Sequence, residues 1–246
     1  MDVALFVTCL TDTFFPRAGE AVVRVLRHFG CRVRFPPEQT CCGQPAFNSG
    51  FRDEATVLAR RMIEIFEPYD TIVCPSASCA GMMREHYPGL FTGEEAWHGR
   101  ARRLATRTHE FVTFLRDRLD VDITACLKFD EPVTFHYPCH ARGIYSAADL
   151  QDWLSAAGHI ELRVPEHPDM CCGFGGMFAV EHADISGAML DDKLDVLAAT
   201  GARLVVCNES GCTMQIAGGA RRRGIPLRFK HIAECLAESL GLMEPQ

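Results

Sequence analysis

Ten of the 13 cysteines in this 246-residue chain fall at repeated intervals. From Cys9, 31 residues intervene before the adjacent pair Cys41 and Cys42, which Gly43 follows at once; 31 more precede Cys74, and four separate Cys74 from Cys79. From Cys139, 31 residues intervene before Cys171, Cys172 and Gly173, then 34 before Cys207 and four before Cys212. The chain is a tandem duplication. Thiolates are soft ligands suited to iron–sulfur clusters and to zinc. Four or more of them, drawn from separated loops, can hold a cluster whose potential is tuned by burial and by backbone N–H groups directed at sulfur. A glycine after each pair lets the backbone approach a metal site where a Cβ would obstruct it, and the run CGFGG at 172–176 fits the same tight loop.

Other uses of the thiols fit less well. Structural zinc is usually held by close C-x-x-C knuckles, whereas these ligands spread over about 70 residues per unit, so zinc stays open at one site only. A disulfide between adjacent cysteines is strained, and a reducing compartment disfavours it. Simple packing does not account for equal intervals. CGFGG also lacks the spacing of a dinucleotide-binding turn. Cys31, Cys126 and Cys235 lie outside the pattern and are expected to be buried packing cysteines.

The elements that must position these thiols can be read between them. DVALFVTC reads as a strand ending at Cys9, AGEAVVRVLRHFG as a helix stopped by Gly30, and CRVRFP as a strand leading to the first pair. A helix at 51–66 and the strand DTIVCP, ending at Cys74, complete the unit. The second unit repeats this order: strand PVTFHYPC, a helix at 150–157, strand IELRVP, the second pair, a helix at 182–200 and strand RLVVCN, followed by LRFKH and a last helix IAECLAESLG. Residues 94–120 read as one long charged helix closing the first unit, and LDVDITACLKFDEP as a linker.

Strands alternating with helices predict an α/β fold of two pseudo-repeated βαβ-type units with parallel sheets, residues 1–125 and 126–246. In such sheets ligand sites lie beyond the carboxyl ends of the strands, which is where Cys9, Cys74, Cys139, Cys207 and both pairs should converge. Cys79 and Cys212, in SASC and ESGC, are placed at helix N-termini, where a thiolate is stabilised.

Whole-chain properties narrow the function. With 25 Lys and Arg against 32 Asp and Glu, the net charge of −7 argues against a nucleic-acid partner. Hydrophobic residues at 48% and charged residues at 23% describe an ordinary globular chain. The N-terminal apolar run is short, begins with Asp2 and leads to no cleavage site, so no signal peptide is expected. No stretch reaches the ~18–20 apolar residues of a membrane span, and the expected location is the cytoplasm.

The pattern C-x31-CCG-x31/34-C-x4-C, twice in one chain, resembles the cysteine-rich CCG-domain family. That family includes the catalytic subunit of heterodisulfide reductase and the iron–sulfur subunits of glycolate oxidase and anaerobic glycerol-3-phosphate dehydrogenase. FPPEQTCCGQPAFNSG and CCGFGGMFAVEHADISGAML look like its lactate-utilisation branch, in which the chain is two such domains. The resemblance implies one [4Fe–4S] cluster per repeat and an electron-transfer subunit of a complex oxidising L-lactate, a 2-hydroxy acid, to pyruvate. Its implied partners are a ferredoxin-like iron–sulfur protein and a third subunit. Carried over, Cys9, Cys41, Cys42 and Cys79 hold one cluster, and Cys139, Cys171, Cys172 and Cys212 the other. Heterodisulfide reductase-type members close the motif with C-x-x-C; here four residues intervene, which leaves Cys74 and Cys207 open as fifth ligands and the cluster open between cubane and noncubane. A thiol or disulfide reductase is the rival reading, and a zinc-binding structural protein a third.

His136 and His140 flank Cys139 in FHYPCHARG; they are expected as donors beside the metal site or as core residues, with protonation of a substrate or replacement of a ligand as the alternatives. His231, just before the last helix, is expected to pack or to cap. No flavin or nicotinamide motif and no carboxylate-binding pocket stands out, so the catalytic residues stay unassigned.

Overall fold

The apolar run after Met1 becomes β1 (Asp2–Leu5), whose last three residues are buried. In this computed structural model, which describes residues 1–245, the first unit continues with α1 (Cys9–Phe14), α2 (Pro16–His28), β2 (Arg32–Arg34), α3 (Gln44–Asn48), α4 (Arg52–Phe66), β3 (Ile72–Cys74) and α5 (Ala77–Gly81). A π-helical turn at Met82–His86 leads to α6 (Tyr87–Leu90), α7 (Glu95–Arg107), β4 (Thr108–Glu110) and α8 (Phe111–Leu119). The strands form one sheet in the order β2-β1-β3-β4, every neighbour parallel. Helix α2 buries Ala18, Ala21, Val22, Val25 and Leu26, a stripe at three- and four-residue spacing, and Gly30 at φ 80° ends it. Of the two central strands, β3 is buried at all three of its positions and β1 at its last three, as expected of a covered parallel sheet.

A second compact unit begins at Asp122. It contains α9 (Ile123–Cys126), β5 (Val133–Phe135), a 3-10 turn at Cys139–Ala141, α10 (Ala147–Ala156), α11 (Phe178–Glu181), α12 (Ala183–Ala199), β6 (Leu204–Cys207), α13 (Ser210–Arg223), β7 (Arg228–His231) and α14 (Ile232–Ser239). Its sheet runs β5-β6-β7, again parallel. The α/β class, the parallel sheets and the repeat are as the sequence predicts.

Four expectations are corrected. The strands read as ending at Cys9 and Cys139 stop at Leu5 and Phe135, and those two cysteines instead open α1 and the 3-10 turn. The stretch 94–120 is not one helix: α7 and α8 are separated by β4, which pairs with β3. Thr108, His109 and Glu110 carry no alternating apolar signal, because the strand is held by its backbone. Two of its side chains serve the helices: the Thr108 hydroxyl donates to the Leu104 carbonyl, and the buried Glu110 carboxylate accepts the Thr113 N–H at 3.0 Å, capping α8. The strand expected over IELRVP is reduced to a single parallel bridge between Leu162 and Val133, made by the Val133 N–H to Glu161 and the Arg163 N–H to Val133. Pro165, three residues on, has no N–H to continue the ladder. Cys31 and Cys235 are buried as expected, but Cys126 is only half-buried, because α9 is a single turn that buries only Ile123.

The reading of His231 as a cap holds. Its Nδ1 accepts the Ala233 N–H at 3.1 Å, while the Glu234 carboxylate accepts the His231 N–H at 3.0 Å, a reciprocal box at the start of α14. Among the described residues no helix is long and apolar enough to cross a membrane. His231→Ala is expected to lower the stability of the second unit by about 1 kcal/mol. Urea unfolding followed by circular dichroism measures this, and an unchanged midpoint would show that the cap is not used.

Candidate metal centres

In the first unit Cys9 opens α1 just beyond β1, and Cys74 ends β3. Thr8, between β1 and α1, holds φ 72°, strained for a non-glycine residue, with its hydroxyl donating to Thr11 Oγ1 at 2.9 Å. The loop carrying the pair is clamped to the same strand end by Gln39. Its Oε1 accepts the Val7 N–H at 2.9 Å and its Nε2 donates to the Leu5 carbonyl at 3.1 Å. Cys42 and Cys79 bring their sulfurs to 3.3 Å, and the Gly43 N–H points at Cys41 Sγ from 3.5 Å. Buried Tyr87 donates to the Cys42 carbonyl at 2.8 Å. Cys79 lies in the first turn of α5, its N–H donating to Ser76 Oγ at 3.2 Å. Cys9 meets Cys41, and Cys74 meets Cys79, so all five thiols of this unit form one connected group.

The second unit repeats the arrangement. Cys139 and Cys172 contact Cys171, Cys172 contacts Cys212 in the first turn of α13, and the Gly173 N–H points at Cys171 Sγ from 3.4 Å. Cys207 ends β6, feels the charge at Cys212, and is met by the Glu209 N–H at 3.3 Å. Here the hydroxyl of Ser186 takes the role of Tyr87, donating to the Gly173 carbonyl at 2.8 Å. Gly173 has φ 78°, and a Cβ on it would lie 2.7 Å from the Ser186 carbonyl oxygen; at Gly43 (φ 85°) the nearest atom would be Leu58 Cβ at 3.3 Å. Both glycines are therefore required by the approach of the loop to the helix that follows. His140 Nδ1 sits 3.4 Å from Cys139 Sγ. His136 is buried with neither ring nitrogen hydrogen-bonded, and a ring nitrogen of it lies within 4.8 Å of the sulfurs of Cys172 and Cys212.

All thirteen cysteines are free thiols. Within each centre they share protons unequally. The Cys42 thiol, then Cys9, donates to Cys41 and holds it down at about 3. Cys139, then Cys172, does the same to Cys171, at about 2. Cys42 and then Cys74 keep Cys79 well below the thiol range. The donors move oppositely: Cys9 and Cys42 are raised chiefly by their bonds to Cys41, and Cys139 and Cys172 chiefly by theirs to Cys171. Cys207 is raised mainly by burial. Burial, and then the Lys193 ammonium, pushes His136 down to about 3, leaving a neutral imidazole able to bind metal. The sequence reading passed over Gln39, Tyr87, Ser186 and Lys193. Of these only Lys193 left a trace in the sequence, as a cation at a position of the buried stripe of α12.

Thiol-rich donor sets of this kind fit a soft metal centre, and the unpartnered His136 nitrogens give the second set an additional ligand or donor. Two parallel α/β units, each gathering five cysteines around an adjacent pair, define a tandem cysteine-rich protein. The chain belongs to the CCG cysteine-rich domain family, whose model matches residues 3–84 and 133–217. It is 43% identical over 245 residues to Lactate utilization protein A of an Exiguobacterium species, with 97% of this chain and 98% of the relative covered. It is 39% identical over 242 residues to Lactate utilization protein A 2 of Bacillus cereus and to Lactate utilization protein A 1 of Bacillus anthracis, covering 98% of this chain and 100% of each relative.

Two outcomes follow for the metal-free chain. Cys41 and Cys171, already thiolates at acid pH, are expected to alkylate with iodoacetamide at a rate nearly constant from about pH 5 to 8, while Cys31 and Cys126, both raised by burial, speed up with pH. Peptide mapping by mass spectrometry reads this, and the same pH slope at Cys41 as at Cys126 would contradict it. Gly173→Ala is expected to destabilise its unit by more than about 2 kcal/mol, and Gly43→Ala its own unit by about 1–2 kcal/mol, because only the first adds a backbone clash to the strained φ. Equal losses in parallel denaturation curves would show that the clash is relieved.

Proposed function

We propose that this chain is the iron–sulfur electron-transfer subunit of a complex that oxidises L-lactate to pyruvate, with one [4Fe–4S] cluster in each unit. The observation that carries the reading is the convergence of ten thiols into two sets at the carboxyl ends of parallel strands. Likeness over almost the whole chain to proteins named for lactate utilisation supplies the substrate.

In this reading Cys9, Cys41, Cys42 and Cys79 hold the first cluster and Cys139, Cys171, Cys172 and Cys212 the second. Cys74 and Cys207, each at a strand end beside its set, stand ready as fifth ligands. When bound, each cluster stores one electron. Converting lactate to pyruvate releases two electrons and two protons, and the chain's part is to take electrons from a companion that binds the 2-hydroxy acid. A ferredoxin-like iron–sulfur protein and a third subunit complete the complex, which works in the reducing cytoplasm. The chain's own residues hold and shield the centres: Gly43 and Gly173 present their N–H groups to sulfur, while Tyr87 and Ser186 fix the carbonyls beside them.

One contact favours a second reading. His140 beside the half-buried Cys139 sulfur could deliver a proton to a departing thiolate, as a thiol–disulfide reductase requires. Turnover of small disulfides by the reduced chain without any partner would select that reading.

Anaerobically purified chain is expected to contain about eight irons and as many sulfides, falling to about half in Cys42→Ser, to about half in Cys172→Ser and to nearly none in the doubly substituted chain. Zinc in place of iron at both sites, or undiminished iron in the doubly substituted chain, would overturn the ligand assignment. Co-purification with the companion subunits tests the lactate complex.

A further inference from the structure

The two units bury different side chains at matching places beside their thiols. Helices α4 and α12 bury Ala55, Ala59, Met62, Ile63 and Phe66, and Ser186, Leu190, Lys193, Leu194 and Leu197, each residue of the second set 131 positions after its counterpart. The match is spatial too, since a Cβ on Gly43 would meet the Ala55 carbonyl and one on Gly173 the Ser186 carbonyl. Lys193 therefore stands where the first unit has Met62. Likewise, His136 and Phe6 each precede the first cysteine of their unit by three residues. Each donates its backbone N–H at 2.9 Å to the residue before the strand-end cysteine, Val206 and Val73 respectively. The first unit thus presents Phe6 and Met62, both 0% exposed, where the second presents His136 at 1% and Lys193 at 0%.

Neither ring nitrogen of His136 nor Lys193 Nζ has a hydrogen-bond partner. Lys193 lies within the electrostatic reach of Cys171, Cys172, Cys207 and Cys212, and His136 within 4.8 Å of two of these sulfurs. A buried cation is unfavourable without counter-charge; the Cys171 thiolate supplies part of it in the metal-free chain, and the negative charge near Lys193 grows when the remaining thiols are ionised on a metal. An iron–sulfur cluster bound by thiolates is anionic and gains one further negative charge on reduction. A cation and N–H donors at its sulfurs favour the reduced form, and an apolar wall does not.

We propose that Lys193 and His136 are positioning groups that direct N–H donors and positive charge at the second centre, and that they make it the more readily reduced of the two. The inference rests on the reading that each unit holds a cluster. Reduction is a one-electron step at each centre, the electron coming from a low-potential donor such as dithionite, with no bond made or broken in the protein.

The test uses the full chain reconstituted anaerobically, with iron and sulfide measured on the same samples, and a redox titration followed by electron paramagnetic resonance. Cys42→Ser leaves the second centre to be observed alone, and Cys172→Ser the first. The second centre is expected to titrate at the higher potential. Lys193→Met, which installs the residue the first unit already carries, is expected to lower the second centre's midpoint and leave the first unmoved; His136→Phe is expected to act in the same direction. In the metal-free chain Lys193→Met is expected to raise the thermal midpoint, because it removes a buried amine that has no hydrogen-bond partner. Iron at both sites with an unmoved second midpoint, equal shifts at both centres, or a first centre of higher potential would overturn the proposal alone. Iron absent from the second unit would overturn the cluster reading, and this proposal with it.

Discussion

Sulfur crowded against sulfur is the condition that the rest of this molecule serves. At separations such as the 3.3 Å between Cys42 and Cys79, neighbouring thiols cannot all ionise, because each thiolate opposes the next. In the metal-free chain the thiols alternate, Cys41, Cys79 and Cys171 lowered by the neighbours that donate to them and Cys9, Cys42, Cys139 and Cys172 raised by donating. Binding a soft cation resolves the conflict by taking every thiol as a thiolate and releasing the remaining protons. Holding mutually repelling groups together requires a rigid support, and a buried parallel sheet supplies it at the edge where its strands end.

The duplication conserves this support more closely than the details around it. Backbone N–H groups meet the first cysteine of each pair in the same way, and both sheets are parallel around a buried central strand. One loop carbonyl is held in each unit, that of Cys42 by Tyr87 from beyond α5 and that of Gly173, one residue further along its motif, by Ser186 on α12. The edge strand β2 has shrunk to one bridge at Leu162. Changes therefore collect at positions that touch the thiols without bearing them, where they can alter a centre's surroundings without dismantling it.

Much of the fold and both thiol sets were legible because cysteine spacing is a long-range signal that local ambiguity cannot blur. Cys9, Cys41, Cys42, Cys74 and Cys79 converge as the intervals imply, and so do their five counterparts, although only Cys74 and Cys207 end strands while Cys9 and Cys139 lie four residues beyond theirs. What escaped was set by tertiary context. The strand β4 is three residues of Thr, His and Glu, invisible to any apolar period, and is recognisable only through its pairing with β3. Lys193 sits in the segment DDKLD, which reads as solvated surface, although its spacing from Leu190, Leu194 and Leu197 places it on the buried stripe. Gln39 shows the same limit: nothing about a glutamine before TCCG announces that it ties the loop to a strand.

Each centre takes all of its thiols from one uninterrupted stretch of chain, lying wholly within one unit. Assembly and damage are consequently modular. Oxidation of the thiols in one unit leaves the five of the other in their own stretch of chain, so the loss of one set does not by itself remove the other.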